Sequence, residues 1–124
     1  NGLKFSDGSI IRVPQGIQGG YDGVEKLERG GRRYTAILTS EDIIAVGVLK
    51  KLREIGKRVP EDVAVFGFNN SQYSLCTVPE LSTVDNKVTD MAVGAVQMLY
   101  DVLQGKEVVR KMVVTPELIT RGSG

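Results

Sequence analysis

The chain has 124 residues, 41% of them hydrophobic, which supports one core and is too short for two ordinary domains. Sixteen Lys and Arg against fifteen Asp and Glu leave a net charge of +1, without the basic surplus of a surface that grips DNA phosphates by itself. The absence of histidine removes the usual general base, triad and zinc ligand, and the single cysteine, Cys76, rules out an internal disulfide and suits a reducing cytoplasm.

The chain opens at Asn1-Gly2-Leu3 with neither an initiator methionine nor a signal-peptide pattern, so it is expected to be a piece of something longer. No apolar run reaches membrane-spanning length. Residues 10–13 are apolar and β-branched and predict a strand, ended by Pro14-Gln15-Gly16. Tyr21, Val24 and Leu27 then recur at helical spacing, predicting a helix over 18–29 that Gly30-Gly31 stops. Residues 34–38 predict a second strand. Thr39-Ser40 are positioned to cap a helix over 41–55, with Glu41 and Asp42 in the first turn, where the macrodipole favours acids. Gly56 closes it, and residues 63–67 predict a third, buried strand. Strand, helix, strand, helix and strand joined by short links predict an α/β class: a parallel sheet flanked by helices, with right-handed crossovers.

After a loop over 69–80, residues 81–84 predict an extended segment. Asp85-Asn86 mark the start of a helix over 87–104, which Gly105 ends. Residues 111–115 and 118–121 read as extended, with Pro116 between them. The basic cluster of Lys50, Lys51, Arg53, Lys57 and Arg58 is interleaved with Glu54 and reads as a solvated helix face.

Catalysis and metal binding find no constellation. Glu41 and Asp42 are adjacent and do not face each other on a helix, so helix-start electrostatics account for them, with Glu41 also able to face a cleft. Gly16, Gly19, Gly20 and Gly23 match neither phosphate-binding fingerprint. Ser71, Ser74 and Cys76 have no identifiable base. No cofactor is expected. Gln15, Glu41 and Asn69 fall at one edge of the predicted sheet, beyond strand ends, where open α/β sheets hold ligands. On the helix over 41–55, Ala45, Val48, Leu49, Leu52 and Ile55 form one apolar stripe. Ile43 and Val46 form another beside Gly47, which predicts close approach of a second surface.

Four stretches, in order, carry a resemblance. They are Ala36-Ile37-Leu38-Thr39-Ser40-Glu41-Asp42-Ile43-Ile44-Ala45-Val46-Gly47; Gly56-Lys57-Arg58-Val59-Pro60-Glu61-Asp62-Val63-Ala64-Val65-Phe66-Gly67-Phe68; Val78-Pro79-Glu80-Leu81-Ser82-Thr83-Val84; and Pro116-Glu117-Leu118-Ile119-Thr120-Arg121-Gly122-Ser123. Together they resemble the effector-binding part of LacI/GalR-type transcriptional regulators, from about Asn1 to Ser123. The resemblance implies the C-terminal lobe of a periplasmic-binding-protein-like (type I) fold. Residues 1–84 and 106–124 would form the lobe, and 85–105 the helix that packs on an N-terminal lobe outside this chain.

It further implies a cytoplasmic repressor that binds a small-molecule effector, a sugar or sugar derivative, between its lobes. Operator DNA would be bound through an N-terminal domain, also outside this chain. Gln15, Glu41 and Asn69 would line the effector cleft. Ile43, Val46, Leu75, Cys76 and Val78 would form a homodimer interface. Two positions depart from the family: Asn69 stands where an aspartate is usual, and Glu41 where an asparagine is usual. Donor and acceptor roles are thereby exchanged. The rival readings are a periplasmic sugar-binding protein of a transporter, which a signal peptide would mark, and a nucleotide-binding α/β enzyme domain, which a phosphate loop would mark.

Overall fold

In a computed structural model, residues 7–31, 33–108 and 111–124 are described. The first six residues of the expected lobe lie outside them. The elements run α1 (Ile17–Arg29), β1 (Ala36–Leu38), α2 (Asp42–Glu54), β2 (Ala64–Phe68), β3 (Ser82–Asp85), α3 (Val88–Leu103) and β4 (Glu117–Ile119). The four strands form one sheet in sequence order. β1 pairs parallel with β2, and β2 parallel with β3, while β4 closes the sheet antiparallel to β3. The sheet is therefore mixed. The antiparallel edge arises because the return from α3 brings 117–119 back along β3.

Two strand expectations are corrected. Residues 10–13 form no ladder with the described residues, despite a β-branched composition, and lie outside the four-stranded sheet. The strand expected over 34–38 shortens to Ala36–Leu38. Of the two segments read as extended after α3, 111–115 joins no ladder, and the last contributes the strand Glu117–Ile119. The helix expectations hold to within one residue at each end.

The core lies between the sheet and the pair α1 and α2. Val24, Val48, Leu49, Leu52, Val63, Val65 and Leu81 are all buried there, each contributing on the order of 1.5–3 kcal/mol of apolar transfer. Ile55 is 38% exposed and drops out of the predicted stripe, since α2 ends one residue before it. Two glycines set the helix spacing. A Cβ on Gly20 would lie 1.9 Å from the Ile44 carbonyl oxygen, and one on Gly47 would lie 1.8 Å from that of Ile17. The close approach that Gly47 predicts is thus met inside the chain, by α1.

α3 projects from this body with no buried residue. Val88, Met91, Leu99 and Val102, on its long apolar stripe, are all exposed. The helix does not fold back over its own core. Met112 crowds it at Gly94, with its sulfur 2.3 Å from where a Cβ on that glycine would stand.

Candidate functional site

Parallel strands end together, so β1 and β2 release their following loops at one edge. Thr39 continues β1 and donates its backbone N–H to the Phe66 carbonyl at 2.9 Å; Glu41 then enters α2. Glu41 is half-buried and accepts a hydrogen bond from the Gln15 amide nitrogen at 2.8 Å. Gln15 stands just before α1, whose N-cap is Gly16 at φ 95°. The structure therefore brings Gln15 and Glu41 together, although Gln15 does not follow a strand as expected.

Asn69 follows β2 and has φ 101°, a left-handed value that asparagine tolerates better than most residues. Its N–H donates to the Val84 carbonyl at 2.8 Å, and its Oδ1 accepts from the Asn86 amide at 3.1 Å. Asn69 is thereby tied to the start of α3. The Oδ1 of Asn86 is buried and has no hydrogen-bond partner among the described residues. The capping expected of Asp85-Asn86 is corrected in detail. Lys87 is the N-cap, at φ 54°, and Asp85 Oδ1 accepts its backbone N–H at 2.8 Å. Lys87 Nζ bridges Glu117 at 2.7 Å and Asp85 at 3.1 Å. The Glu117 bond, then the Asp85 bond, raise the Lys87 pKa. The Lys87 backbone N–H, then its ammonium, lower that of Asp85.

The loop between β2 and β3 is held from beneath by Asp42. This carboxylate is 1% exposed. It accepts from the Ser71 N–H at 2.6 Å, the Ser71 hydroxyl at 2.9 Å and the Thr83 hydroxyl at 2.5 Å. Room for it exists because residue 67 is glycine: a Cβ there would lie 2.2 Å from Asp42 Oδ1. The helix-start reading of Asp42 is therefore incomplete, because its partners lie 29 and 41 residues away.

Arg121 clamps the same loop from the other side. Its guanidinium donates to the Leu81 carbonyl at 2.8 Å, Asn70 Oδ1 at 2.9 Å and Ser74 Oγ at 3.2 Å. Ser123 completes the stitch by donating to the Val65 carbonyl at 2.6 Å and accepting from the Ser82 N–H at 2.8 Å. Sequence reasoning missed Asp42, Ser71, Thr83 and Arg121 as a connected set. The Arg and Ser of the closing motif were the one available signal.

The expected interface residues differ in burial. Ile43 and Val46 are half-buried on α2, and the 3₁₀ turn Gln72–Leu75 packs against that helix. Leu75 and Cys76 are exposed, and Val78 is 88% exposed. Gly47 no longer argues for a second surface, since α1 fills its space. Among the described residues, no group of three His, Cys, Asp or Glu could hold a metal ion, and no helix is long and apolar enough to cross a membrane.

The sequence profile of the periplasmic binding protein-like domain matches residues 7–124. The chain is 35% identical over 119 residues to an HTH-type transcriptional regulator of Lachnoclostridium phytofermentans, covering 96% of this chain and 36% of that protein. It is 36% identical over 123 residues to the HTH-type transcriptional regulator AscG of Escherichia coli K12, covering 99% of this chain and 37% of that protein. A solved sugar-binding transcriptional regulator of the LacI family from Escherichia coli, in complex with phosphate, matches with a TM-score of 0.90 at 33% identity. That match covers 98% of this chain and 44% of the other. The chain thus spans little more than a third of the length of these two curated relatives.

Proposed function

This chain belongs to the periplasmic binding protein-like domain family, in the form carried by LacI/GalR-type regulators, and from that premise we propose that it is the effector-sensing and dimerising part of a cytoplasmic DNA-binding regulator. The observation that carries this reading is the shared edge. Glu41 and Asn69 follow two adjacent parallel strands, and Gln15 is hydrogen-bonded to Glu41. A carboxylate and two amides offer both acceptors and donors, the chemistry that polar hydroxylated ligands require. The effector is a sugar or sugar derivative, in keeping with the sugar-binding solved relative.

This lobe supplies one wall of the cleft. The lobe would be the expected 1–84 and 106–124, and the helix expected over 85–105, the uncovered α3, would belong against the opposite one. Effector held between two walls biases their arrangement and so alters operator affinity. A dimer through Ile43, Val46, Leu75, Cys76 and Val78 would match two DNA half-sites. Catalysis has no part in the scheme.

The test is a thermal-shift screen of the intact protein against mono- and disaccharides, followed by calorimetry on the isolated 124-residue chain. At least one sugar should raise Tm, and the isolated chain should bind it at least tenfold more weakly. Glu41→Gln and Asn69→Ala should each weaken binding in the intact protein. Failure of every sugar would reject the ligand class, and equal affinity in both proteins would reject the shared cleft.

A further inference from the structure

Glu41 is held rigidly, yet its side chain serves no structural partner that carries a positive charge. Its backbone is pinned where α2 begins. The Glu41 carbonyl accepts from the Ile44 and Ala45 N–H groups at 3.2 and 3.3 Å and from the Thr39 hydroxyl at 2.8 Å. An acid at this position ordinarily caps the helix with its side chain. Glu41 is the N-cap residue of α2 and makes no side-chain cap hydrogen bond. The side chain turns to Gln15 instead, whose amide donates to Oε1 at 2.8 Å. Gln15 is neutral, so this bond orients the carboxylate without balancing its charge.

The neighbouring charges are already committed. Asp42 holds Ser71 and Thr83. The Lys87 ammonium lies between Asp85 and Glu117. The Arg121 guanidinium faces Leu81, Asn70 and Ser74, with Glu80 at 3.9 Å. Among the described residues, no Lys or Arg forms an ion pair with Glu41.

The hydrogen-bond inventory of the edge is equally one-sided. Glu41 Oε2 and Gln15 Oε1 have no donor among the described residues, because the Gln15–Glu41 bond uses the other atom of each group. Asn69 Oδ1 is taken by the Asn86 amide, which leaves Asn69 Nδ2 as a donor. An anionic oxygen and an amide oxygen thus stand against one amide NH2. A sugar hydroxyl brings one donor and two acceptor sites, whereas an ammonium brings three donors and no acceptor. A neutral ligand closing over the half-buried Glu41 would strip water from a charge and leave it uncompensated, which is costly. An ammonium would turn the same contact into a charge-assisted hydrogen bond.

We infer that the effector carries a protonated amine, as an amino sugar does, and that Glu41 is the residue that selects it. The inference rests on the reading of this edge as the effector site. The ammonium donates to Glu41 Oε2, Gln15 Oε1 offers a second acceptor, and a ring hydroxyl accepts from Asn69 Nδ2. Gln15 is a positioning residue, since it holds the carboxylate by its other oxygen.

The test is calorimetry on the intact protein with matched sets of sugars: glucose, glucosamine and N-acetylglucosamine, and the galactose and mannose counterparts. At about pH 6.5 the free amine is protonated. In at least one set the amino sugar should bind more tightly than both neutral members, by about tenfold or more. Glu41→Gln keeps the shape and removes no cap bond, so it should fold and bring the three members of that set to within about threefold of one another. Glu41→Asp keeps the charge and should keep the preference for the amine. A neutral sugar bound as tightly as its amino counterpart would overturn the inference and leave the sugar-binding reading of the edge standing. A preference that survives Glu41→Gln would overturn the role given to Glu41. Failure of every sugar, amino and neutral alike, would remove the underlying reading and the inference with it.

Discussion

Asp42 and Ser71 are joined twice: both the backbone N–H and the hydroxyl of Ser71 donate to the same carboxylate oxygen, at 2.6 and 2.9 Å. The other oxygen takes the Thr83 hydroxyl. One buried side chain thus links the first turn of α2 to the loop after β2 and to β3. Its neighbours in sequence are Glu41, on the candidate ligand edge, and Ile43, on the candidate interface.

Removing this carboxylate leaves three donors without partners, the Thr83 hydroxyl fully buried and the two Ser71 groups partly so, each costing about 1–3 kcal/mol. Asp42→Ala should therefore destabilise the chain by about 3 kcal/mol or more, read from urea unfolding. Asp42→Asn keeps the size and one acceptor, and should cost less. Equal midpoints for wild type and Asp42→Ala would show that the network carries no stability.

The helix contact should be intolerant of a single methyl group. Gly47→Ala places a carbon against the Ile17 backbone, and Gly20→Ala places one against that of Ile44. Each forces the helices apart, at about 2–3 kcal/mol. Gly23→Ala meets only the Val13 side chain, at 3.1 Å, and should cost clearly less. Thermal unfolding of the three variants distinguishes a backbone clash from a general dislike of alanine.

Arg121 uses its planar fork to reach Leu81, Asn70 and Ser74 together. A lysine offers one compact charge and cannot make that set. Arg121→Lys should lose about 1–3 kcal/mol of stability. It should also speed amide exchange in 70–75 more than in α1. Uniform loss of protection across both regions would contradict a local clamp.

Asp62 offers a titration test. Two side-chain bonds from Arg58, reinforced by the Arg58 backbone N–H, hold its carboxyl at about 2, against an ordinary 3.8. A lowered acid pKa contributes stability above the ordinary carboxylate value. That contribution declines below pH 3.8 and is gone once pH falls through about 2. Carbon-detected NMR should find the midpoint near 2, and Arg58→Ala should return it toward 3.8. A wild-type midpoint at the ordinary value would mean that the clasp does not form in solution.

Val46→Asp tests the interface. The substitution places a charge on the half-buried α2 face and, if that face is covered in a dimer, costs about 3 kcal/mol or more. Sedimentation of the intact protein should shift toward monomer. An unchanged mass distribution would move the interface elsewhere.

The three helices were legible from sequence almost residue by residue. Their apolar spacing and closing glycines act within a turn or two, so Gly30, Gly56 and Gly105 mark their ends without help from the rest of the fold. The order of the four motifs was equally plain, and with it the family and the parallel pairing of β1 with β2. What tertiary structure decided was which distant groups meet. Residues 10–13 have the composition of a strand, yet a strand exists only when another backbone shares its hydrogen bonds, and none among the described residues pairs with them. Gly47 announced a close approach but could not say that α1 makes it. Asp42 looked like a helix-start acid because its true partners, Ser71 and Thr83, are set by how the loop after β2 returns beneath the sheet. Local periodicity is a property of neighbours in the chain, whereas the pairing of backbone edges and buried polar groups is a property of neighbours in space.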